Sequence, residues 1–227
     1  MSTHQPNAAE DSKGLGGNAG KPAAKLDRAP MGGRGHFTAR DLFLTALFSV
    51  IYVVVTFVLG MLGFLGPLAW ILSIPLAVFI NGVVFTLFLA KTRVPGMITL
   101  FGVVAALALV LHGTALTGVL FAVVAAIIAD VVFHMTKRNP RTAAIASYSV
   151  FGLVGFAPFI QILMDRKAYF SSEAWQQMGD AYVQASDKLF TTPILLGLAV
   201  ACVIAGCLGA MFGTAMLRKH FAPAGLA

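Results

Sequence analysis

From position 42 to position 90 the chain runs for 49 residues without one Asp, Glu, Lys or Arg. That is more than twice the roughly 20 residues a helix needs to cross a hydrocarbon core, so two spans must fit there. Between them, Gly60-Met61-Leu62-Gly63-Phe64-Leu65-Gly66-Pro67 sets three glycines and a proline in eight positions and favours a turn, which gives spans over 42–60 and 67–90. A second charge-free run, 36 residues from 94 to 129, is broken at His112-Gly113-Thr114 and reads as spans over 95–111 and 115–134. Positions 142–164 and 191–217 supply two more. The expected fold is an all-α integral membrane protein, a bundle of six transmembrane helices. Composition agrees: only 11% of the 227 residues are charged, about half the share usual in a soluble domain.

A formal charge of +7 raises the question of nucleic acid, and the placement of the cations answers it. They lie between apolar runs. With the N-terminus inside, thirteen of the sixteen Lys and Arg fall on cytoplasmic segments, as the positive-inside rule requires. Both termini are therefore expected in the cytoplasm, and no nucleic-acid partner is expected. Positions 1–36, rich in Gly, Ala, Pro, Asn and Lys with no periodic apolar face, read as a disordered cytoplasmic tail, and 37–227 as the membrane domain. The long connector from Asp165 to Phe190 carries four acids, and Ala174, Met178, Tyr182, Ala185 and Leu189 recur in it at helical spacing. It reads as an amphipathic helix on the outer face, either lying among lipid headgroups or closing over a cavity as a lid.

Motifs for chemistry are missing. Gly20-Lys21 does not complete a phosphate-binding loop, and neither H-E-x-x-H nor Gly-x-Ser-x-Gly occurs. No enzyme activity, cofactor or metal is expected, and Cys202 and Cys207 read as small packing residues. Asp130, near the cytoplasmic end of the fourth span, is expected to pair with Arg93, Arg138 or Lys137. Polar and aromatic groups concentrate in the outer half: Trp70, Asn81, His112, Tyr148, Gln161, Asp165, Arg166, Tyr169 and Trp175. Each needs a partner so close to lipid. They either tie helices together or converge on a small-molecule pocket in which rings stack a planar solute and amides fix its edge.

Gly197, Ala201, Ala205, Gly209 and Gly213 recur at every fourth position of the last span, a small-residue stripe that admits another backbone. The visitor is either a helix of the same chain or a partner subunit. Thr45, Ala46 and Ser49 offer a similar face on the first span.

Several segments carry a family resemblance: Asp165-Arg166-Lys167-Ala168-Tyr169-Phe170, Met178-Gly179-Asp180-Ala181-Tyr182, Gly206-x-x-Gly209-x-x-x-Gly213 and Met216-Leu217-Arg218-Lys219-His220-Phe221-x-x-Ala224-Gly225-Leu226. Gly60-Met61-Leu62-Gly63-Phe64 and Ile128-Ala129-Asp130 add to it. Over about residues 37 to 227 the chain resembles the MptD or Trep_Strep family of S components of energy-coupling factor (ECF) transporters. That resemblance implies a subunit of the cell membrane that captures a vitamin-like solute at its outer face and works with a T membrane subunit and two ATPase subunits. It further implies capture by outer loops around Trp70, His112 and 165–182. T-subunit docking in such proteins uses an Ala-x-x-x-Ala face on the first helix, where this chain has Thr45-x-x-x-Ser49 beside Ala46-x-x-x-Val50.

Overall fold

The computed structural model describes residues 38–92, 94–111, 113–136 and 138–220. The tail expected over 1–36, and Arg93, His112 and Lys137, lie outside the described residues. Helix α1 (Ala39–Gly60) starts at a capping box, in which Thr38 Oγ1 accepts from the Asp41 amide and the Asp41 carboxylate accepts from the Thr38 amide, both at 3.2 Å. A short 3-10 turn (Met61–Leu65) and Gly66, whose φ of 140° suits glycine, lead into α2 (Pro67–Lys91). Then come α3 (Met97–Leu111), α4 (Leu116–Met135) and a composite rod formed by α5 (Pro140–Phe151), a 3-10 stretch (Gly152–Phe159) and α6 (Ile160–Met164). Three short helices follow, α7 (Arg166–Phe170), α8 (Glu173–Gln176) and α9 (Asp180–Leu189), and then α10 (Thr192–His220).

Five of these rods are long and apolar enough to cross a membrane: α1 with its 3-10 turn, α2, α4, the rod from Pro140 to Met164, and α10. The expected third span is apolar but shorter. Val94-Pro95-Gly96 form a turn, with Gly96 at φ 87°, so α3 begins only at Met97, and Gly113 at φ 75° follows its end. Its 15 residues cover about 22 Å at the usual rise per residue. The connector also departs from the expected single helix. Gly179, at φ 87°, separates α8 from α9, and the amphipathic pattern resides in α9.

α2 packs most intimately with α10, and small residues make that possible. A Cβ on Gly82 would stand 2.6 Å from Gly209 Cα, and one on Gly213 would stand 2.9 Å from the Gly82 carbonyl oxygen. Gly206 likewise lies against the Tyr148 carbonyl of α5, and Ala205 is buried. The stripe proposed as a possible partner face is therefore occupied from Ala205 to Gly213 by helices of this chain, whereas Gly197 has open space around it and Ala201 is half-buried. Thr45 and Ser49 are also turned inward. Thr45 donates to the Asp41 carbonyl at 2.8 Å and lies 3.2 Å from Met97 Sδ, and Ser49 is fully buried. Ala46 and Val50 remain on the exposed face of α1.

One half of the bundle is filled by rings. Phe85 meets Tyr148 at 4.6 Å and Phe151 at 5.1 Å between centroids, Phe88 meets Phe101 at 4.8 Å, and Tyr52 stands edge-on to Phe101 and Phe151. Nearby, the expected pairing of Asp130 with Arg138 gives way to a different one. Its carboxylate accepts from the Thr99 amide at 3.2 Å and the Thr99 hydroxyl at 2.9 Å, with His134 Nδ1 3.1 Å away. Thr99 is in the first turn of α3, so Asp130 caps a neighbouring helix whose exposed amides favour negative charge.

The glycine contacts predict that Gly82→Ala lowers stability by about 1–3 kcal/mol through overpacking, whereas Gly197→Ala is neutral or mildly stabilising. Thermal unfolding of the two variants in one detergent checks this, and equal midpoints would refute it.

Candidate solute-binding pocket

At the end of the bundle away from the ring-filled half lies a cavity of about 530 Å³, within the range of small-molecule sites. Each wall follows from a local repeat. On α2, Trp70, Ser73, Ile74, Ala77 and Val78 stand at i, i+3, i+4, i+7 and i+8, one helical face. From α1, Tyr52, Thr56, Phe57 and Gly60 face the same space. The third wall is spaced by threes: Gly155 and Pro158 are brought into line by the 3-10 stretch, and Gln161 joins them from the start of α6. Pro158 lacks an amide hydrogen for an α-helical bond, and a Cβ on Gly155 would lie 2.8 Å from Val78, so tight packing against α2 accompanies the change of helix type.

The connector forms the roof. Trp175, 7% exposed, is its hub, with ring centroids 5.7 Å from Trp70, 5.2 Å from Tyr169, 5.0 Å from Phe170 and 6.0 Å from Tyr182. The rings that would have suited a headgroup zone thus turn toward the protein. Tyr182 donates a hydrogen bond of 2.8 Å to the Gly63 carbonyl, tying α9 to the turn between α1 and α2. Gly63 is pressed on its other side by Trp70, 3.1 Å from where a Cβ would be. Burial raises the Tyr169 and Tyr182 phenols above their ordinary range, so both remain protonated and Tyr182 remains a donor across neutral pH.

Of the expected pocket residues, the structure brings Trp70, Gln161, Tyr169 and Trp175 together in the lining. Asn81, Tyr148, Asp165 and Arg166 have other work. Asn81, fully buried, donates to Thr56 Oγ1 at 2.9 Å and to the Tyr52 carbonyl at 3.3 Å, so it joins α2 to α1 behind the lining. The Tyr148 hydroxyl donates to the Val78 carbonyl at 2.7 Å within the ring-filled half. Asp165 caps α7 by accepting from the Ala168 amide at 2.9 Å. Arg166 pairs with Asp187 at 2.6 Å, donates to the Asp187 and Phe190 carbonyls, and lies over the Phe170 ring, fastening α7 to the end of α9. His112 lies outside the described residues. The sequence reading missed Tyr52, Thr56, Ser73 and the Gly60–Phe64 turn, although the α2 spacing and the Gly155, Pro158, Gln161 spacing carry a signal for two walls.

Fold and cavity together define a multi-pass helical membrane protein with a solute-sized recess at one end of its bundle. The chain belongs to the Trep_Strep family of hypothetical bacterial integral membrane proteins, whose family model matches residues 39–222. No curated protein and no solved structure matches it.

Tyr182→Phe keeps the ring contact with Trp175 and removes one hydrogen bond, worth about 0.5–1.5 kcal/mol. Opening of the roof should rise by a few-fold to about tenfold, read as stronger acrylamide quenching of tryptophan emission. Unchanged quenching would show that the roof is not held there.

Proposed function

We propose that this protein is the substrate-capturing S component of an ECF-type importer in the cell membrane. It takes a small, vitamin-like solute into its recess, does no chemistry itself, and relies on a T membrane subunit and two ATPase subunits for the driving force. The observation that carries this reading is a blind recess. Tyr52 forms part of its floor and abuts the packed rings of Phe101 and Phe151, so a solute can lodge at one end of the bundle but finds no ready path through it.

Charge supports the direction. Arg40, Lys91, Arg138, Arg141, Arg218 and Lys219 belong to helix ends and turns remote from the recess, whereas its roof segment carries three cations, Arg166, Lys167 and Lys188, against four acids, Asp165, Glu173, Asp180 and Asp187. By the positive-inside rule the recess then faces outward, with six spans and both ends of the domain in the cytoplasm. The alternative reading is a stand-alone six-helix facilitator or secondary carrier, and a proton-coupled carrier of that kind would be expected to hold an acid near its solute. Apart from Asp41 at the start of α1, Asp130 is the sole acid in the described apolar helices, and it is engaged with Thr99 at the opposite end.

In proteoliposomes the chain alone should bind but not accumulate the solute it retains on purification, identified by native mass spectrometry. Uptake should require the T subunit, both ATPases and ATP; transport by the chain alone would refute the reading. The Lys188→Cys variant, in a Cys202→Ala, Cys207→Ala background, should react with an impermeant maleimide added outside intact cells, and labelling only after lysis would reverse the orientation.

A further inference from the structure

The lining specifies the kind of solute as well as its size. Among the described residues, no Asp, Glu, Lys or Arg lines the cavity. None of the ionised groups of the roof is in the lining, and three of them are engaged elsewhere, Arg166 with Asp187 and Asp165 with the first turn of α7. A charged solute would shed its hydration with no counter-ion to replace it.

What the lining presents is aromatic surface and a little neutral polarity. Trp70 and Trp175 lie too close together, at 5.7 Å and 51°, to admit a ring between them, so with Tyr169 they form a wall on which a flat molecule can lie. Several hydroxyls of the lining already donate to backbone: Thr56 to Tyr52, Ser73 to Trp70, Ser172 to Tyr169 and Tyr182 to Gly63. Gln161, like the Thr114 hydroxyl, is not engaged in this way. Its side-chain amide takes part in no hydrogen bond among the described residues, although it sits half-buried in the cavity wall. It offers a donor and an acceptor on one planar group.

We infer that the pocket takes an uncharged, flat heteroaromatic solute, its ring against the Trp70–Trp175 wall and an adjacent donor and acceptor on its edge read by Gln161. This rests on the capture reading above and narrows it to a solute class.

The chain contains only two tryptophans, Trp70 and Trp175, so all its indole emission arises at the pocket. The full chain in lipid nanodiscs, excited at the red edge of indole absorption, is titrated with quinoxaline-2-carboxamide, with quinoxaline-2-carboxylate and with 1-decanol. The carboxamide should quench saturably, with the carboxylate at least tenfold weaker and decanol failing to compete. Gln161→Leu should weaken the carboxamide at least fivefold, and Gln161→Lys should turn the preference toward the carboxylate; thermal melting checks that both variants are folded. Equal or tighter binding of the carboxylate, displacement by decanol as by a lipid chain, absence of saturable quenching, or indifference to both Gln161 variants would overturn the inference. Failure here is separable from failure of the capture reading: a charged solute taken up only with ATPases and ATP overturns the solute class alone. Saturable carboxamide binding by a chain that transports unaided overturns the capture reading alone.

Discussion

The contact on which the bundle depends is backbone against backbone, where Gly82 of α2 meets Gly209 and Gly213 of α10. In lipid, helices gain no hydrophobic driving force by meeting, so close van der Waals approach has to supply the attraction. Glycine at both surfaces permits that approach and fixes the height at which α2 sits. Everything nearer the recess follows from it, because α2 gives the wall from Trp70 to Val78 and receives the Tyr148 hydroxyl and the 3-10 stretch on its flank. The same helix is tied to α1 through Asn81.

Two helical periods meet at the recess. The α2 face repeats near 3.6 residues, and the adjoining wall is spaced by threes. A long 3-10 stretch is uncommon because its hydrogen bonds are poorer. Here Gly152 and Gly155 accompany it with close packing, the first against the Cys202 carbonyl and the second against Val78. The arrangement delivers Gln161 to the lining beyond Pro158. Neutrality of the lining has a structural counterpart in the roof, where Arg166 and Asp187 satisfy one another and the carbonyls at the end of α9.

The positions of most helices could be read from the lengths of charge-free runs, since a lipid-facing helix must be apolar almost throughout. Two features could not. Pro95-Gly96 forms a turn ahead of α3, a local choice that hydropathy does not register. Gly179 divides the connector because its positive φ ends one helix and opens the next. Among the polar residues, sequence could name candidates but not sort them. Asn81 and Gln161 are the same amide chemistry in apolar surroundings. What separates them is that Thr56 and the Tyr52 carbonyl come within reach of Asn81 from another helix, while no described group does so for Gln161. The small-residue stripe was legible as a stripe, and its occupant was not, because the partner face on α2 contributes only Gly82, the Thr86 hydroxyl and backbone atoms as a signal.

The brevity of α3 has a consequence for the lipid around the protein. A rod of about 22 Å is shorter than a hydrocarbon layer of about 30 Å, a mismatch that a bilayer would meet by thinning locally, at a cost of fractions of a kcal/mol per Å. Leu111, 87% exposed, marks the end of that rod, and Gly113, Thr114 and Ala115 just beyond it line the recess. Were α3 to cross such a layer, headgroups and water would have to dip toward that flank, and the surroundings of the recess would vary with acyl-chain length as well as with the protein's own contacts.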